Sequence, residues 1–472
     1  MGSRKVTDWQ GKNVTVAGLG VSGVPAAKVL HGLGAKVTVV NDGDDARARE
    51  QAAELEALGV TVRLGDGATL PEGTELIVTA PGWQPDKPLF TAARAAGVPV
   101  WGDVELAWRL RGPDAAPWLC VTGTNGKTTT TQMLTSILKA AGLRTAAVGN
   151  IGVSLLDAVL GEERYDVLAV ELSSYQLHWA PSLRAHSAAV LNLAPDHLDW
   201  HGSMEAYAKD KGRVYEGNRV ACVYNVADKA TEDLVREADV EEGCRAVGFT
   251  LGAPAPSQLG VVDGILVDRA FVENRQKNAQ ELAAVSDVDP PAPHNIANAL
   301  AAAALARAFG VPAKAVRDGL RAFTPDAHRI AHVTDVDGVA YIDDSKATNT
   351  HAAQASLAAY ESIVWIAGGL AKGATFDELV AQSAKRLRGV VLIGADRALI
   401  REALARHAPE VPVVDLDRTD TGAMLAAVQE ARRLAVEGDT VLLAPACASM
   451  DMFANYNQRG DAFASAAREL GA

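Results

Sequence analysis

A glycine-rich loop between a hydrophobic strand and a helix constrains this chain most strongly. Residues 118–131 read WLCVTGTNGKTTTT, so an apolar run leads into TGTNGKT and a threonine-rich helix follows. The amides of such a loop can cradle phosphate, Lys127 can neutralise the β and γ oxygens, and Thr128 can offer a hydroxyl to Mg²⁺. The expected triphosphate site is completed by Gly123, Thr124, Asn125, Gly126 and Thr129. The standard spacing has a glycine where this chain has Val121, so the loop is a variant.

The order of strands and helices predicts an α/β protein with three domains. Short β-branched runs alternate with alanine-rich stretches, which is typical of βαβ units and mostly parallel sheets. A chain of 472 residues also exceeds one ordinary core. We expect a Rossmann-like domain (1–112), a phosphate-loop ATPase-like domain with a mostly parallel sheet (113–325) and a second Rossmann-like domain (326–472). Residues 250–292 are rich in Pro, Gly and Asp, which predicts a surface hairpin and loops.

The amino-acid composition limits which molecules this protein can bind and where in the cell it can function. The net charge of −13 argues against nucleic acid or an anionic membrane, because both attract basic surfaces. The four cysteines are widely spaced, which is typical of reduced thiols in a cytosolic protein. The first residues, MGSRKVTDWQGKNVTV, lack an apolar signal core, and no apolar run reaches 18 residues. We therefore expect a cytoplasmic monomer without membrane insertion.

A second glycine loop, GLGVSG (18–23), follows the strand NVTVAG and opens a helix. It fits G-x-G-x-x-G, in which glycines let the backbone approach a diphosphate at a helix N-terminus, and Asp42 ends the next strand. NAD, another nucleotide diphosphate and a tight turn without ligand are all compatible with this motif alone. VTAPG (78–82) ends a later strand, and such strand ends line the ligand crevice of an open sheet.

Further polar segments follow strands of the central region. Glu171 begins ELSSYQL at a strand end, where it can hold Mg²⁺, although a helix cap explains the same letters. NLAPDHLDWHG (192–202) contains His197 and favours metal or proton-transfer chemistry, or else a polar loop with satisfied side chains. YAKDKGRVYE (207–216) is typical of a charged helix face, on which Lys209, Lys211 and Arg213 would be solvated.

Two amides in HNIANA, Asn295 and Asn298, lie one helical turn apart. They can read a purine edge, or they can be a helix cap and a surface residue. In the third region, the strand ends DDSKATNT, GGLAKG and PACAS carry Lys346, Thr348, Lys372 and Ser449. Each alone is typical of a capped helix start, and together they favour a cationic, hydroxyl-lined pocket for a small carboxylate.

The motifs taken in order resemble the Mur ligase family. They are TGTNGKT, ELSSYQL, N-x-x-PDH-x-D, HN-x-x-N, HR (328–329), DSKATN and PACAS-x-D-x-F-x-N-Y-x-QRG. The resemblance covers nearly the whole chain, and ELSSYQL, DSKATN and the PACAS block are its specific parts. It implies an ATP-dependent amide ligase of cytoplasmic peptidoglycan precursor synthesis that activates a carboxylate as an acyl phosphate. Within the family it points to the addition of D-glutamate to UDP-N-acetylmuramoyl-L-alanine.

The resemblance also implies residue roles. The catalytic residues would be Lys127, His197 and a carbamylated Lys211, and two Mg²⁺ ions would be held by Thr128, Glu171, His197 and Lys211. ATP would contact the phosphate loop together with Asn295, Asn298, Arg329 and Asp344. The UDP-sugar, rather than NAD, would contact Gly20, Val21, Ser22, Gly23, Asp42, Thr79, Pro81, Gly82 and Asn150. D-glutamate would contact Lys346, Thr348, Lys372, Ser449 and Tyr456.

Three alternatives remain at this stage. The first is another amide ligase of the superfamily, such as a folylpolyglutamate synthase or a sister Mur ligase. The second is a nicotinamide dehydrogenase built on GLGVSG, which leaves the second phosphate loop without a role. The third is a non-catalytic nucleotide-binding scaffold. The chain departs from some relatives in two places: GGLAKG lacks an acidic residue two before Lys372, and NDGDD (41–45) differs from the common uridine loop.

Overall fold

The computed structural model describes residues 9–325, 327–418, 420 and 422–471. Within these residues the chain forms three sheets flanked by helices, which confirms the predicted α/β class. The first two sheets belong to one compact unit, residues 9–288 and 296–323, and the third belongs to a unit of residues 289–295 and 324–471. Residues 1–8 of the first predicted domain and residue 326, where the third would begin, lie outside the described residues. The predicted domain boundaries stay predictions.

The first sheet is entirely parallel, in the order β3-β2-β1-β4-β5. Its elements are β1 (Asn13–Ala17), α1 (Gly23–Gly32), β2 (Lys36–Asn41), α2 (Ala46–Glu56), β3 (Thr61–Leu64), β4 (Leu76–Thr79), α3 (Pro88–Ala95), β5 (Val100–Gly102) and α4 (Asp103–Leu110). Because β1 lies between β2 and β4, the strand order reverses beside it. The loops after β1 and β4 therefore flank the crevice where open sheets bind ligands.

The second sheet has the order β14-β13-β12-β11-β10-β9-β6-β8-β7. Its strands are β6 (Trp118–Thr122), β7 (Ala147–Gly149), β8 (Leu168–Glu171), β9 (Ser187–Val190), β10 (Ala221–Asn225), β11 (Arg245–Phe249), β12 (Gln258–Val262), β13 (Ile265–Asp268) and β14 (Gln280–Ala284). Its helices are α5 (Lys127–Ala140), α6 (Leu155–Leu160), α7 (Ser174–His178), α8 (Leu198–His201), α9 (Met204–Gly212), α10 (Lys229–Glu237), α11 (Pro293–Ala308) and α12 (Ala313–Ala322). The segment 250–292 forms the antiparallel strands β12 to β14, which extend the otherwise parallel sheet.

The middle strands β6, β8 and β9 are buried along their whole length. Helices cover both faces of a parallel sheet, so its strands are mostly apolar and do not alternate between apolar and polar residues. Side chains of β6 enter two different cores, Cys120 one and Val121 the other. The first core also contains strands of the first sheet, and Trp108 packs edge-on against Trp118 with ring centroids 5.0 Å apart. This shared core explains why the first two sheets form one unit.

The third sheet has the order β15-β16-β20-β17-β18-β19, and β15 alone among its described strands is antiparallel. Its elements are β15 (Ala331–Val336), β16 (Val339–Asp343), α13 (Thr350–Leu357), β17 (Ile363–Gly368), α14 (Asp377–Ser383), β18 (Leu387–Ile393), α15 (Arg397–His407), β19 (Val413–Asp415), α16 (Ala423–Leu434), β20 (Thr440–Leu443) and α17 (Tyr456–Leu470). In the part of the chain that the structure describes, no helix combines the length and apolar character needed to cross a membrane.

Candidate active site

The phosphate loop between β6 and α5 is shaped by two glycines with positive φ. Gly123 has φ +149°, and Gly126 has φ +82° and precedes the first residue of α5. A Cβ on Gly126 would lie 2.3 Å from Oδ1 of Asn298, so the loop passes directly against that side chain. A side chain at this position would therefore be both strained and obstructed. The structure thus brings Asn298, one of the predicted ATP contacts, to the phosphate loop.

Asn192 fastens this loop to the end of β9. Its Oδ1 accepts from the Asn125 amide at 2.8 Å, its Nδ2 donates to the Asn125 carbonyl at 3.1 Å, and its carbonyl accepts from the Thr124 amide at 3.0 Å. Asn192 belongs to the N-x-x-PDH motif but was not among the predicted site residues. Its position at the end of a buried strand next to β6 was the available signal.

Two lysines converge on the carbonyl oxygen of Gly123. Lys127 Nζ donates to it at 3.0 Å and to the Thr124 carbonyl at 2.8 Å, and Lys211 Nζ donates to it at 2.9 Å. Lys211 is 2% exposed, so the prediction of a solvated lysine at this position was wrong, whereas Lys209 is exposed. Burial, and secondarily the charge of Lys127, hold the pKa of Lys211 well below its ordinary value.

Glu171 ends β8 beside the loop and has one unpaired oxygen. Oε1 accepts from Nδ2 of Asn150 at 2.8 Å, while the buried Oε2 has no hydrogen-bond partner among the described residues. The structure thus brings together Asn150, a predicted contact of the UDP-sugar, and Glu171, a predicted metal ligand. A buried carboxylate oxygen without a donor fits a cation such as Mg²⁺, which prefers carboxylate ligands. Among the described residues, no group of three or more His, Cys, Asp and Glu side chains could hold a metal by itself.

His197 occupies a strained position on the loop after β9. It has φ +54° and directly precedes α8, its Nε2 lies 3.4 Å from Asp196 Oδ2, and its ring centroid is 4.9 Å from that of Tyr175. Its side chain is 46% exposed. Partial burial, followed by the charges of Lys127 and Lys211, lowers the pKa of His197, although Asp196 opposes this. A strained, neutral imidazole next to the loop suits metal binding.

The second histidine of this segment, His201, has a structural environment. Its Nδ1 contacts Asp210 at 3.1 Å and its Nε2 contacts Ser174 Oγ at 2.9 Å. His178 contacts the same Asp210 oxygen at 2.8 Å. Burial opposes ionisation of Asp210, but the bonds from His178 and His201 prevail and lower its pKa to about 2. The interpretation of this segment as a polar loop with satisfied side chains therefore fits His201. Two predicted ATP contacts, Thr128 and Thr129, lie in the first turn of α5.

The other glycine loop precedes α1 in the first sheet. Gly20 has φ +98°, Val21 is 88% exposed, and a Cβ on Gly23 would lie 1.9 Å from the Gly18 carbonyl. Ser22 is the N-cap residue of α1, with its own hydroxyl turned to Asp103 at 3.1 Å. The N-terminus of α1 is therefore left open to an anionic group, as the motif predicts.

Asp42 follows β2 and the TAPG loop follows β4, the two strands on either side of β1 in the first sheet. Asp42 forms an ion pair with Lys87 at 2.6 Å, and the Thr79 hydroxyl donates to the Ala80 carbonyl at 3.0 Å. Gly82, beside Pro81, accepts from the Trp200 indole at 3.1 Å. This bond joins the TAPG loop to the loop of His197. Two segments predicted separately, one for the UDP-sugar and one for metal, therefore meet in one unit.

The remaining predicted ATP contacts belong to the second unit. Asn295 Nδ2 donates to the carbonyls of Asp289 and Pro290, at 2.9 and 3.0 Å. This side-chain amide therefore stabilises the turn that precedes α11. Asp344 follows β16 and is 8% exposed, and burial raises its pKa to about 6 against the charge of Arg329.

Three loops at the carboxyl ends of β16, β17 and β20 are joined by backbone bonds. Ala446 donates to the Ala347 carbonyl at 2.9 Å, and Leu370 and Ala448 exchange two bonds of 2.9 Å. Lys372 and Ala446 have φ of +50° and +59°, which are strained values for side-chain-bearing residues.

These loops carry the predicted amino-acid contacts. Lys346 Nζ lies 3.8 Å from the ring centroid of Tyr456, and Ser449 is 4% exposed. The Thr348 amide donates to the Lys346 carbonyl at 2.8 Å. The structure thus places Lys346 with Tyr456 and brings the loops of Thr348, Lys372 and Ser449 to one sheet edge. The side chains of Thr348 and Lys372 show no direct contact with the others among the described hydrogen bonds.

Comparison with known proteins gives three family matches. The Mur ligase middle domain matches residues 121–306, and the Mur ligase glutamate ligase domain matches residues 328–447. A pyridine nucleotide-disulphide oxidoreductase model matches residues 13–78, which contain the first glycine loop.

Curated relatives extend over the whole chain. The UDP-N-acetylmuramoylalanine–D-glutamate ligase of Streptomyces avermitilis is 90% identical over 467 residues, which are 99% of this chain and 100% of the relative. The ligase of the same name from Streptomyces coelicolor is 88% identical over 469 residues, with the same two coverages. The MurF ligase of Thermotoga maritima, solved in complex with ADP, has a TM-score of 0.56 at 16% identity and covers 99% of this chain and 97% of its own. That last likeness shows a common fold.

Proposed function

The chain belongs to the Mur ligase family, and from this membership we propose that it joins D-glutamate to UDP-N-acetylmuramoyl-L-alanine at the expense of ATP. It is an ATP-dependent amide ligase of peptidoglycan precursor synthesis. We assign UDP-substrate binding to residues 1–112, ATP binding to residues 113–325 and amino-acid binding to residues 326–472. The use of ATP and a UDP-linked substrate supports a cytoplasmic enzyme, and we propose that it acts as a monomer.

The observation that carries the proposal is the convergence of Lys127 and Lys211 on the Gly123 carbonyl. Two lysine side chains thus meet at one turn of backbone, where Lys127 can supply positive charge to a bound polyphosphate and the buried Lys211 lies beside it. Glu171 is the last residue of β8 and His197 lies on the loop after β9, and these two strands flank β6, so both residues could hold a metal beside a bound phosphate. A solvated lysine in a ligand-free turn would need none of these neighbours.

The proposed reaction has two steps. A carboxylate oxygen of the UDP-sugar substrate attacks the γ-phosphorus of ATP, the bond to the bridging oxygen breaks, and ADP leaves with that electron pair. The amine of D-glutamate then attacks the acyl carbon, the carbon–oxygen bond to phosphate breaks, and phosphate and a proton depart. Carboxylate and ATP are both anionic, so the charge of Lys127 and the loop amides offset their repulsion.

Magnesium fits the residues present, since Glu171 has an orphaned buried oxygen and Thr128 has a hydroxyl at the start of α5. Two bound Mg²⁺ ions would neutralise charge on the transferring phosphoryl group. Thr128, Glu171 and His197 would hold them, together with a modified Lys211. The low pKa of Lys211 supports that modification, because only a neutral amine can attack CO₂, lose a proton and become a carbamate.

The first glycine loop is proposed to bind the UDP of the substrate. Gly20, Val21, Ser22 and Gly23 open α1 with their amides, and Asp42 lies at the next strand end. The hydrogen bond from Trp200 to Gly82 connects this part of the molecule to the His197 loop, which supports one continuous substrate path. A nicotinamide dehydrogenase would leave the second loop and its two lysines unused.

The decisive measurement is phosphate release from ATP in the presence of UDP-N-acetylmuramoyl-L-alanine. We expect rapid release with D-glutamate and little release with L-glutamate, with L-lysine or without an amino acid. Mass spectrometry of the product should show one added glutamyl residue. Equal rates with D-glutamate and L-lysine would refute the assigned pocket. Release that ignores the UDP-sugar would refute the ligase proposal itself.

A further inference from the structure

Arg459, in the first turns of α17, is a buried arginine that the proposed reaction does not use. It is 1% exposed. Its Nε donates to Ser345 Oγ at 3.0 Å, its Nη2 to the Ser345 carbonyl at 2.8 Å, and its Nη1 to the Cys447 carbonyl at 3.1 Å. Among the described residues, no carboxylate lies within the 4.0 Å of an ion pair with this guanidinium.

These three bonds join the loops of the proposed amino-acid pocket. Ser345 precedes Lys346 on the loop after β16, and Cys447 lies two residues before Ser449 on the loop after β20. The Ser345 hydroxyl donates in turn to the Tyr456 carbonyl at 2.8 Å. One guanidinium thus connects the backbone segments that carry four of the five proposed D-glutamate contacts: Lys346, Thr348, Ser449 and Tyr456. Its planar fork fits three acceptors at once, which a lysine ammonium cannot reproduce.

The loop that Arg459 holds is also strained. Ala446, next to Cys447, has φ +59°, a strained conformation for a residue with a side chain that persists only where neighbours enforce it. The bond from Arg459 to the Cys447 carbonyl is one such restraint. The bond from the Ala446 amide to the Ala347 carbonyl is another.

The charge of Arg459 is not balanced at contact distance. Asp343, the carboxylate under the same loop, pairs with His328 at 2.6 Å, and this bond raises the pKa of His328. Burial lowers the pKa of Arg459 to about 10, so the group stays charged at neutral pH. Buried charges normally have a partner in contact, because desolvation is costly. Asp451 and Asp343 act on this charge from beyond contact distance and offset only part of the cost of burial, so a further anion over the loops would stabilise the guanidinium.

We infer that Arg459 is a positioning residue of the amino-acid pocket: it holds the loops of Lys346 and Ser449 together, and its charge, which Asp451 and Asp343 offset only in part, favours an amino acid with two carboxylates. The inference rests on the proposed function, since it deepens the assignment of D-glutamate to this pocket. Arg459 acts through the loops and through its field and does not itself touch the substrate.

The test compares Arg459→Met and Arg459→Lys with Arg468→Met, which removes an exposed arginine from the same helix. Steady-state rates are measured with D-glutamate, ATP and the UDP-sugar varied in turn, and with D-glutamine as a competitor that has one carboxylate instead of two. For Arg459→Met we expect the KM for D-glutamate to rise at least tenfold, with the KM values for ATP and the UDP-sugar within twofold. The preference for D-glutamate over D-glutamine should fall, and Arg459→Lys should recover part of that preference. Arg468→Met should match the wild type.

Ser345→Ala serves if Arg459→Met does not fold, because it removes one acceptor and leaves the charge in place. We expect it to raise the KM for D-glutamate about threefold without changing the preference over D-glutamine. An unchanged KM for D-glutamate in Arg459→Met, or in Ser345→Ala when it stands in, overturns the inference, as does an equal rise in all three KM values. A wild type that does not turn over D-glutamate overturns the proposed function itself, which separates the two failures.

Discussion

Replacing Asp344 by asparagine should stabilise the second unit at neutral pH and weaken ATP binding. Asp344 is 8% exposed, its Oδ2 accepts from the Ser356 hydroxyl, and its Oδ1 accepts from the Ile330 amide at 3.3 Å. Burial raises the pKa of this carboxyl to about 6, although the Ser356 bond and the Arg329 charge oppose the change. A buried carboxylate retained at such a cost suggests a role in binding.

The size of the stabilisation follows from the difference between the pKa values of Asp344 in the folded and unfolded states. The folded state binds the Asp344 proton more tightly than the unfolded state, whose carboxyl has the ordinary value of 3.8. Stability therefore falls as the pH rises from about 4 to about 6 and is constant above that range. The difference between about 6 and 3.8, at 1.36 kcal/mol per pKa unit, gives about 3 kcal/mol. Asparagine removes this cost and keeps both bonds, because its Nδ2 can donate to Ser356 Oγ.

The assay is urea unfolding at pH 5, 6, 7 and 8, with hydrogen exchange of peptides from β16 to report on the second unit. Asp344→Asn should raise the free energy of unfolding by about 3 kcal/mol at pH 7 and 8, and by less at pH 5. The matched control is Asp343→Asn, the same change one residue earlier. It removes the negative charge that pairs with His328 and leaves one oxygen to accept from both His328 and the Ser345 amide, so it should destabilise at each pH.

Two results would refute this reasoning. One is an Asp344→Asn protein no more stable than the wild type at pH 8, and the other is a gain that does not shrink towards pH 5. Activity gives a separate check, since the proposed ATP contact predicts a higher KM for ATP in Asp344→Asn. A variant with normal ATP kinetics would contradict that contact and leave the electrostatic argument standing.

Three other perturbations address the phosphate loop. Lys211→Ala should lower kcat at least 100-fold, and added short carboxylates should restore part of the activity. The control Lys209→Ala, at an exposed lysine of the same helix, should stay active. Full activity of Lys211→Ala would exclude the carbamate. Glu171→Gln should raise the Mg²⁺ concentration for half-maximal rate about tenfold or more, because the buried oxygen without a partner loses its charge. An unchanged dependence of the rate on Mg²⁺ would show that Glu171 does not bind the metal. Gly126→Ala should raise the KM for ATP about tenfold or more, since the added Cβ would lie 2.3 Å from Oδ1 of Asn298. A normal KM for ATP would show that the loop can move and accommodate the side chain.

Much of the fold was predictable because its signals are local. Each of these signals lies within a short stretch of sequence and favours one local structure: the buried runs of β6 and β8 favour strands, and the glycines before α5 favour a tight loop. The same holds for the strand ends that carry Glu171 and Lys346, because the carboxyl ends of parallel strands lie at one sheet edge.

Burial of polar residues was not predictable in this way. Lys211 lies on α9, whose residues have a polar pattern, and it is buried only because α9 packs over the Gly123 loop. Asn192 is an ordinary loop residue until its three bonds to the phosphate loop are seen. Family resemblance pointed to Lys211 where local physics did not.

By itself, the sequence determined the α/β class, the two glycine loops and the strand ends that carry the site residues. These depend on patterns within a few residues, which local backbone chemistry decides. Tertiary structure alone decided which of these segments meet. The Trp200–Gly82 bond spans 118 residues and the Arg459–Ser345 bond spans 114. Such contacts arise when helices and strands pack and exclude water, and burial then sets the pKa of Lys211 and the charge balance around Arg459.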